Sequence, residues 1–173
     1  MRLFVAICFT DRTRKQLSAA VETLRTQGQG RFSPAENLHL TLAFLGETEN
    51  ADAALAALRQ IDLPAFSLRF DGIGQFEDLY WAGIRENEAL RALQTQLTAH
   101  LEDAGFVLEA REFLPHITLA RRYTPQQDFS PVSIGQILST IEEPVRELTL
   151  LRSHLRENGA SYETLAAQPL SQK

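Results

Sequence analysis

The sequence is poor in cysteine and has no long apolar run. Cys8 is the only cysteine among 173 residues and lies in an apolar stretch, which predicts a buried strand residue in a reducing compartment. That N-terminal stretch is short and is interrupted by Asp11 and Arg12, so we expect no signal peptide. No segment approaches the roughly 20 apolar residues that cross a bilayer. These absences predict a soluble, cytoplasmic protein without a membrane partner.

Positive charge is also scarce. The chain has 17 lysines and arginines against 22 aspartates and glutamates, and its net charge is −5. This balance excludes a protein that coats nucleic acid through a broad basic field. It is compatible with a local cluster of arginines that binds one or a few phosphates. Any nucleic-acid substrate should therefore be an end, a loop or a small fragment.

The residues that are present are typical of a soluble globular protein. Hydrophobic residues make up 44% and charged residues 23%. The length fits one domain, or one domain built of two similar halves. The sequence gives no sign of an oligomeric state, and we take the chain to be a monomer.

The apolar spacing predicts an α+β fold. Helical spacing occurs over residues 12–28, 51–61 and 87–104. Strands are predicted at 2–9, 38–44, 66–70, 79–84, 113–120, 137–141, 147–152 and 161–165. Two prolines in 123–135 predict a mobile loop there. Because several strands are hairpin-like neighbours, mainly antiparallel pairing is favoured over a doubly wound parallel sheet.

A His-x-Thr pattern occurs twice, each time in strand-like sequence. The first copy reads Leu-His-Leu-Thr-Leu-Ala and the second Pro-His-Ile-Thr-Leu-Ala. Residues i and i+2 of a strand share a face, about 6.6 Å apart. His39 should therefore project with Thr41, and His116 with Thr118, while their apolar neighbours face a core. If the two strands face each other across a cleft, two imidazoles and two hydroxyls flank one substrate.

Such a set of groups suits in-line cleavage of a phosphodiester. One imidazole accepts a proton from the attacking water, and the other, protonated, donates one to the departing oxygen. Histidine, with an ordinary pKa of about 6.5, can take either role near neutrality. Hydroxyls and an arginine would stabilise the non-bridging oxygens.

Two other interpretations of these histidines stay open. A lone histidine in an apolar strand is more often a hydrogen-bonded structural residue, and it is the repetition that favours catalysis. A metal site has little support, because no third His, Cys or carboxylate stands at a ligand spacing. We therefore predict no metal and no cofactor. His100 and His154 are expected to be structural or exposed.

Four arginines lie near the motifs. Arg121 and Arg122 follow the second motif directly, and Arg31 and Arg111 precede the two motifs by a few residues. Arg121 is best placed to reach a phosphate beside His116. Strict alternation would put these two side chains on opposite faces, so a twist or a strand end is needed.

These residues resemble the 2H phosphoesterase superfamily, which is named for two His-x-Thr/Ser-x motifs. The greatest similarity is to the bacterial and archaeal RNA 2′,3′-cyclic phosphodiesterases, historically called 2′-5′ RNA ligases. The segments that carry the resemblance are 2–7, 36–47, 79–83, 115–121 and 159–170.

The resemblance implies a fold and an activity. The fold is a two-lobed duplication of a β-α-β-α-β unit, so that 1–173 forms a single domain of two pseudo-symmetric lobes around a central cleft. The activity is metal-free hydrolysis of RNA 2′,3′-cyclic phosphate ends to 2′-phosphomonoesters, with reversible 2′-5′ RNA ligation as a secondary reaction.

The resemblance also implies roles for the site residues. His39 would be the proton donor and His116 the proton acceptor, while Thr41, Thr118 and Arg121 would bind the phosphate. Two departures from the family pattern, Phe32 in place of a common tryptophan and the sequence at 112–114, concern the RNA-contacting surface.

Two alternative functions remain. One is a phosphodiesterase for small cyclic nucleotides or ADP-ribose cyclic phosphate. The other is a non-catalytic module that binds RNA ends.

Overall fold

The computed structural model describes residues 1–172, which form nine strands and four helices. The strands are β1 (Arg2–Cys8), β2 (Gly28–Phe32), β3 (His39–Glu47), β4 (Phe66–Phe76), β5 (Leu79–Ile84), β6 (His116–Pro125), β7 (Glu142–Val145), β8 (Glu147–Arg156) and β9 (Gly159–Pro169). The helices are α1 (Asp11–Thr26), α2 (Ala51–Arg59), α3 (Glu88–Asp103) and α4 (Pro131–Leu138). The predicted α+β class is confirmed.

The strands form two sheets in which all neighbours are antiparallel. The strand order is β3-β1-β8-β9 in the first sheet and β2-β6-β5-β4-β7 in the second. The first lobe contains the succession β1-α1-β3-α2, and the second contains β5-α3-β6-α4. In the first lobe the motif strand β3 pairs with β1, and in the second lobe the motif strand β6 pairs with β5. The repeated arrangement confirms the two-lobed duplication.

Each lobe completes its sheet with strands from the other half of the chain. β2 comes from the first half but pairs with β6 in the second sheet. β8 and β9 come from the end of the chain but extend the first sheet beyond β1. The chain therefore passes repeatedly between the lobes.

Apolar stripes hold the helices against the sheets. In α3 the four leucines at 90, 93, 97 and 101 are all buried, as their spacing predicts. The side chain of Asn87 caps this helix by accepting a hydrogen bond from the backbone N–H of Leu90. Over residues 1–172, no helix has both the length and the apolarity needed to cross a membrane.

A buried carboxylate joins the lobes at the start of α1. Glu143 of β7 is fully buried, and it accepts hydrogen bonds from the backbone N–H of Thr10 (2.7 Å) and from the hydroxyls of Thr10 (2.9 Å) and Thr13 (3.0 Å). All three donors belong to the first turn of α1 or its cap. A negative charge is favourable there because the N-terminus of a helix carries partial positive charge.

We expect Glu143→Ala to lower the free energy of unfolding by roughly 3 kcal/mol, because it removes a fully buried carboxylate and leaves three donors at the start of α1 without their acceptor. Urea denaturation measures the loss. Glu142→Gln is the matched control, since the exposed Glu142 carboxylate makes only a surface ion pair with Arg69 and its loss should cost at most about 1 kcal/mol. Equal destabilisation by both variants would show that the buried contacts add nothing.

Two predicted segments are wrong. Residues 123–135 form a loop only at 126–130, since β6 continues to Pro125 and α4 begins at Pro131. A proline in the first helical turn has no N–H to satisfy and is compatible with a helix, and Ser130 caps the turn. Residues 137–141 are not a strand but the end of α4 and a turn, and the strand follows as β7.

The strand β2 was not predicted. Its glycines indicate the end of a helix, but the segment pairs along β6. A Cβ atom at position 28 would lie 2.4 Å from the ring of Tyr123, so this position is open only to glycine. The Tyr123 hydroxyl donates to the Leu24 carbonyl of α1 and fixes this packing.

Candidate active site

The two His-x-Thr motifs lie at equivalent places in the two lobes. His39 and Thr41 on β3 face Cys8 and Ala6 of β1, and the second motif on β6 faces Gly83 and Trp81 of β5 in the same register. β3 and β6 contact each other although they belong to different sheets. The faces of the two sheets that carry the motifs therefore line one cleft between the lobes.

Both imidazoles are anchored in the same way. Nδ1 of His39 lies 2.7 Å from the carbonyl oxygen of Asn37, and Nδ1 of His116 lies 2.7 Å from that of Leu114. Because a carbonyl only accepts, Nδ1 carries the hydrogen in each ring. Nε2 is therefore the nitrogen available for proton transfer in both histidines.

The environments of the two Nε2 atoms differ. Nε2 of His39 lies 2.9 Å from the hydroxyl oxygen of Thr41. Nε2 of His116 has no hydrogen-bond partner among residues 1–172. One Nε2 atom thus has a hydroxyl beside it, and the other is open to a ligand or water.

A β-bulge turns Arg121 toward the cleft. Tyr80 and Trp81 are adjacent on β5, but their partners Ala120 and Thr118 are separated by an extra residue, Leu119. Leu119 and Ala120 are both buried, so the alternation restarts one residue late. Arg121 therefore shares the face of His116 and Thr118, which resolves the conflict with strict alternation.

The first motif has the same bulge. Val5 and Ala6 pair with Ala43 and Thr41, which leaves Leu42 as the extra residue. The position equivalent to Arg121 is Phe44, whose ring is 62% exposed. The repeated motif therefore ends with an arginine in one lobe and an aromatic ring in the other.

The other arginines near the motifs differ in their placement. Arg31 lies directly opposite Arg121 in the β2–β6 pair and is exposed. Arg111 is exposed and forms an ion pair with Glu109 at 2.6 Å. Arg122 is exposed and has a positive φ of 51°. Of these three, only Arg31 shares the face of Arg121.

Aromatic rings surround each histidine. Phe4 and Tyr162 lie with their ring centroids 5.1 Å from His39, and Phe76 lies 5.3 Å from His116. Packed rings limit the orientations that each imidazole can take. Cys8, predicted to be buried, is half-buried beside His39, and burial raises the pKa of its thiol.

Burial lowers the pKa of His39 below its ordinary value, because the charged ring loses solvation. The hydrogen bond to Asn37 acts in the opposite direction, and the positive charges of Arg121 and His116 lower the pKa further. These two side chains therefore lie near His39 across the cleft. Burial raises the pKa of the Tyr162 hydroxyl, and the positive charges of Arg121 and Arg2 lower it in part.

The remaining sequence candidates lie outside this cluster. His154 lies 2.8 Å from the Glu163 carboxylate on the neighbouring strand, and His100 lies in the last turn of α3. Phe32 packs edge-on against Tyr123 and lies beneath the guanidinium of Arg25 at 4.5 Å. Within the described residues, no group of three or more His, Cys, Asp or Glu side chains is arranged to hold a metal ion.

Comparison with known proteins gives consistent matches. The profile of the 2′-5′ RNA ligase superfamily matches residues 13–157. The RNA 2′,3′-cyclic phosphodiesterase of Geobacillus stearothermophilus is 35% identical over 147 residues, which are 78% of this chain but only 46% of that protein. The RNA 2′,3′-cyclic phosphodiesterase of Escherichia coli K12 is 32% identical over 176 residues, covering 99% of this chain and 97% of the relative.

Solved structures agree with the sequence comparison. The crystal structure of E. coli LigT complexed with 3′-AMP is 29% identical to this chain, covers 99% of it and 98% of the LigT chain, and superimposes with a TM-score of 0.79. The profile match extends over most of the sequence and includes both histidine motifs. The chain therefore belongs to the 2′-5′ RNA ligase superfamily.

Proposed function

We propose that the protein hydrolyses RNA 2′,3′-cyclic phosphate ends to 2′-phosphomonoesters, with His39 as general acid and His116 as general base. The observation that carries the proposal is the matched pair of imidazoles, each anchored through Nδ1 and each offering Nε2 to one cleft. The names of the Geobacillus and E. coli relatives and the 3′-AMP bound to LigT support the substrate class.

The reaction needs one proton transfer on each side of the phosphorus. Nε2 of His116 accepts a proton from water while the water oxygen attacks phosphorus. The bond between phosphorus and O3′ breaks, and Nε2–H of His39 donates its proton to O3′. The products are a 2′-phosphomonoester and a 3′-hydroxyl, and solvent exchange restores the two protonation states.

The hydrogen bonds support these roles. The Thr41 hydroxyl lies where it can accept a hydrogen bond from a protonated His39 ring, which favours the acid form. Nε2 of His116 is free of protein partners in the described chain and can meet the attacking water. Thr41, Thr118 and Arg121 would bind the non-bridging oxygens as negative charge develops on them.

The two lobes differ at the position after each motif, where one has Phe44 and the other Arg121, and this difference supports an orientation of the substrate with O3′ toward His39. Phe44 lies on β3, the strand of His39, whereas Arg121 lies on β6, the strand of His116. An exposed ring is a stacking surface for a base, and a guanidinium binds phosphate oxygens. A nucleoside beside Phe44 would direct its departing O3′ toward His39.

Substrate binding should increase the protonated fraction of His39, the proposed general acid. In the free protein, burial and Arg121 hold the pKa of His39 below its ordinary value. A bound phosphate places negative charge beside both groups, which favours the protonated ring. The acid form of His39 then increases when it is needed.

We expect a bell-shaped pH dependence that belongs to the histidine pair as a unit. The pH profile of kcat should lie at higher pH than that of kcat/KM. The reason is that kcat reports the enzyme–substrate complex, in which the bound anion favours the protonated His39 ring. Initial rates over pH 4–9, about 2.5 units either side of the ordinary histidine pKa, measure both curves. Activity should survive EDTA, and strict dependence on added metal would refute the metal-free mechanism.

Product analysis tests the function directly. An RNA oligomer ending in a 2′,3′-cyclic phosphate should yield only the 2′-phosphorylated product. A 3′-phosphate would show that the other bond breaks and would reject the proposed orientation. Turnover of small cyclic nucleotides without turnover of RNA would assign the site to the first alternative, and binding without turnover would assign it to the second.

A further inference from the structure

Two arginines face each other across neighbouring strands of the second lobe. Arg31 on the edge strand β2 and Arg121 on β6 are direct partners in the antiparallel register. Directly opposed residues project to the same face with Cβ atoms about 5 Å apart, and like charges at this spacing repel. Their shared face is the cleft, because the next pair along the strands, Phe32 and Ala120, packs toward the core.

Nothing within residues 1–172 compensates this repulsion. Arg69 and Arg111 each form an ion pair with a glutamate, but neither Arg31 nor Arg121 has a carboxylate within ion-pair distance. In a chain of net charge −5, two unpaired guanidinium groups at adjacent positions leave room for an anion. An anionic ligand bound between Arg31 and Arg121 would supply the missing negative charge.

The two arginines lie at different distances from the reacting groups. Arg121 follows Thr118 on the strand that carries His116, and it is near enough to lower the pKa of His39. Arg31 lies one strand further from the motif, at the edge of the sheet. Arg121 is therefore placed to bind the phosphate between the histidines, and Arg31 is placed to bind a second phosphate.

We propose that Arg31 binds the phosphodiester that joins the terminal nucleotide to its 5′ neighbour, so that an RNA strand is preferred to a mononucleotide. This inference rests on the proposed function, because it uses the same cleft and the same cyclic end. It makes Arg31 a determinant of substrate class rather than a catalytic residue.

The test compares two substrates with one cyclic end. A nucleoside 2′,3′-cyclic phosphate has only the phosphate to be cleaved, whereas a dinucleotide with the same terminal nucleoside also has the 5′ phosphodiester. We expect kcat/KM of the wild-type protein to be higher for the dinucleotide. Arg31→Gln should lower the dinucleotide value about fivefold, the scale of one exposed charge pair, and leave the mononucleotide value unchanged.

Salt dependence gives a second readout. The slope of log(kcat/KM) against log[salt] for the dinucleotide should become shallower by about 0.7 in Arg31→Gln, since one contact to a single-strand phosphate is lost. The matched control is Arg12→Gln, which removes an exposed arginine of α1 and should change neither the dinucleotide rate nor its slope.

Each result decides the proposal. An unchanged dinucleotide rate in Arg31→Gln, or an equal loss for both substrates, would overturn it, and the equal loss would place Arg31 on the cleaved phosphate instead. If the wild-type protein cleaves neither substrate, the proposed function fails. Fluorescence anisotropy with a labelled dinucleotide 2′-phosphate then still decides whether Arg31→Gln weakens binding relative to Arg12→Gln.

Discussion

His39→Ala and His116→Ala should each lower kcat on a cyclic-phosphate RNA by about 10²–10⁴-fold, the range for losing one proton-transfer group. Each change removes one of the two Nε2 atoms proposed to transfer protons in the cleft, and the remaining imidazole cannot take both roles. The fold should be retained, because both rings are only half-buried at the surface of the cleft. Single-turnover rates with circular dichroism of the same samples measure both quantities.

The double variant gives a sharper result. If the imidazoles act on one phosphorus atom as a unit, the loss in His39→Ala/His116→Ala is far smaller than the product of the single losses. His154→Ala is the matched control, since this ring pairs with Glu163 outside the cleft and should leave the rate unchanged. Wild-type activity in either single variant would eliminate the two-histidine mechanism.

Arg121→Gln should lower kcat by about 10²–10³-fold, because a preorganised donor to the charge that develops on phosphate is lost. The size of this effect distinguishes Arg121 from a solvated surface arginine. Arg122→Gln, at the next position and also exposed, is the matched control and should leave kcat nearly unchanged. Equal losses in both variants would point to disturbance of β6 rather than loss of a phosphate contact.

Arg121→Gln should also change the pKa of His39. Arg121 lowers the pKa of His39, so its removal raises that pKa toward the ordinary value. Nuclear magnetic resonance of the imidazole Cε1–H of His39 follows the change in the free protein, where no substrate interferes. An unchanged or lowered pKa would mean that Arg121 does not approach His39 across the cleft.

The motif residues could be predicted from the sequence because their geometry is local. Alternation along a strand is enough to place His39 with Thr41 and His116 with Thr118, and the structure has these pairs on the predicted face. The resemblance to a two-lobed family supplied what alternation cannot, namely that the two strands face each other. The catalytic roles stay predictions until the variants are measured.

The orientation of Arg121 could not be predicted by alternation, because a bulge shifts the register by one residue. A signal was nevertheless present, since Leu-Ala follows Thr in both motifs. Two consecutive apolar residues in an alternating strand indicate a position where both side chains face the core. Arg121 then returns to the cleft face.

The position of Arg31 depends on partners far apart in the chain. Its segment is rich in glycine and has no strand pattern, and it becomes a strand only because β6 provides an edge and Tyr123 fills the space above Gly28. Such a pairing is a tertiary effect that local propensity does not contain. The same applies to α4, which begins at a proline that the first helical turn accommodates and is held by the Ser130 cap and by tertiary packing.

The passage of β2 into one sheet and of β8 and β9 into the other has a consequence for the repeat itself. A piece of the chain holding only the first motif would have β2 without a sheet to join, and a piece holding only the second would have the β8–β9 hairpin without β1. Isolated strands and hairpins are marginal in water. The two halves are therefore interdependent parts of one cooperative body, and we infer that damage to either sheet is transmitted to both imidazoles.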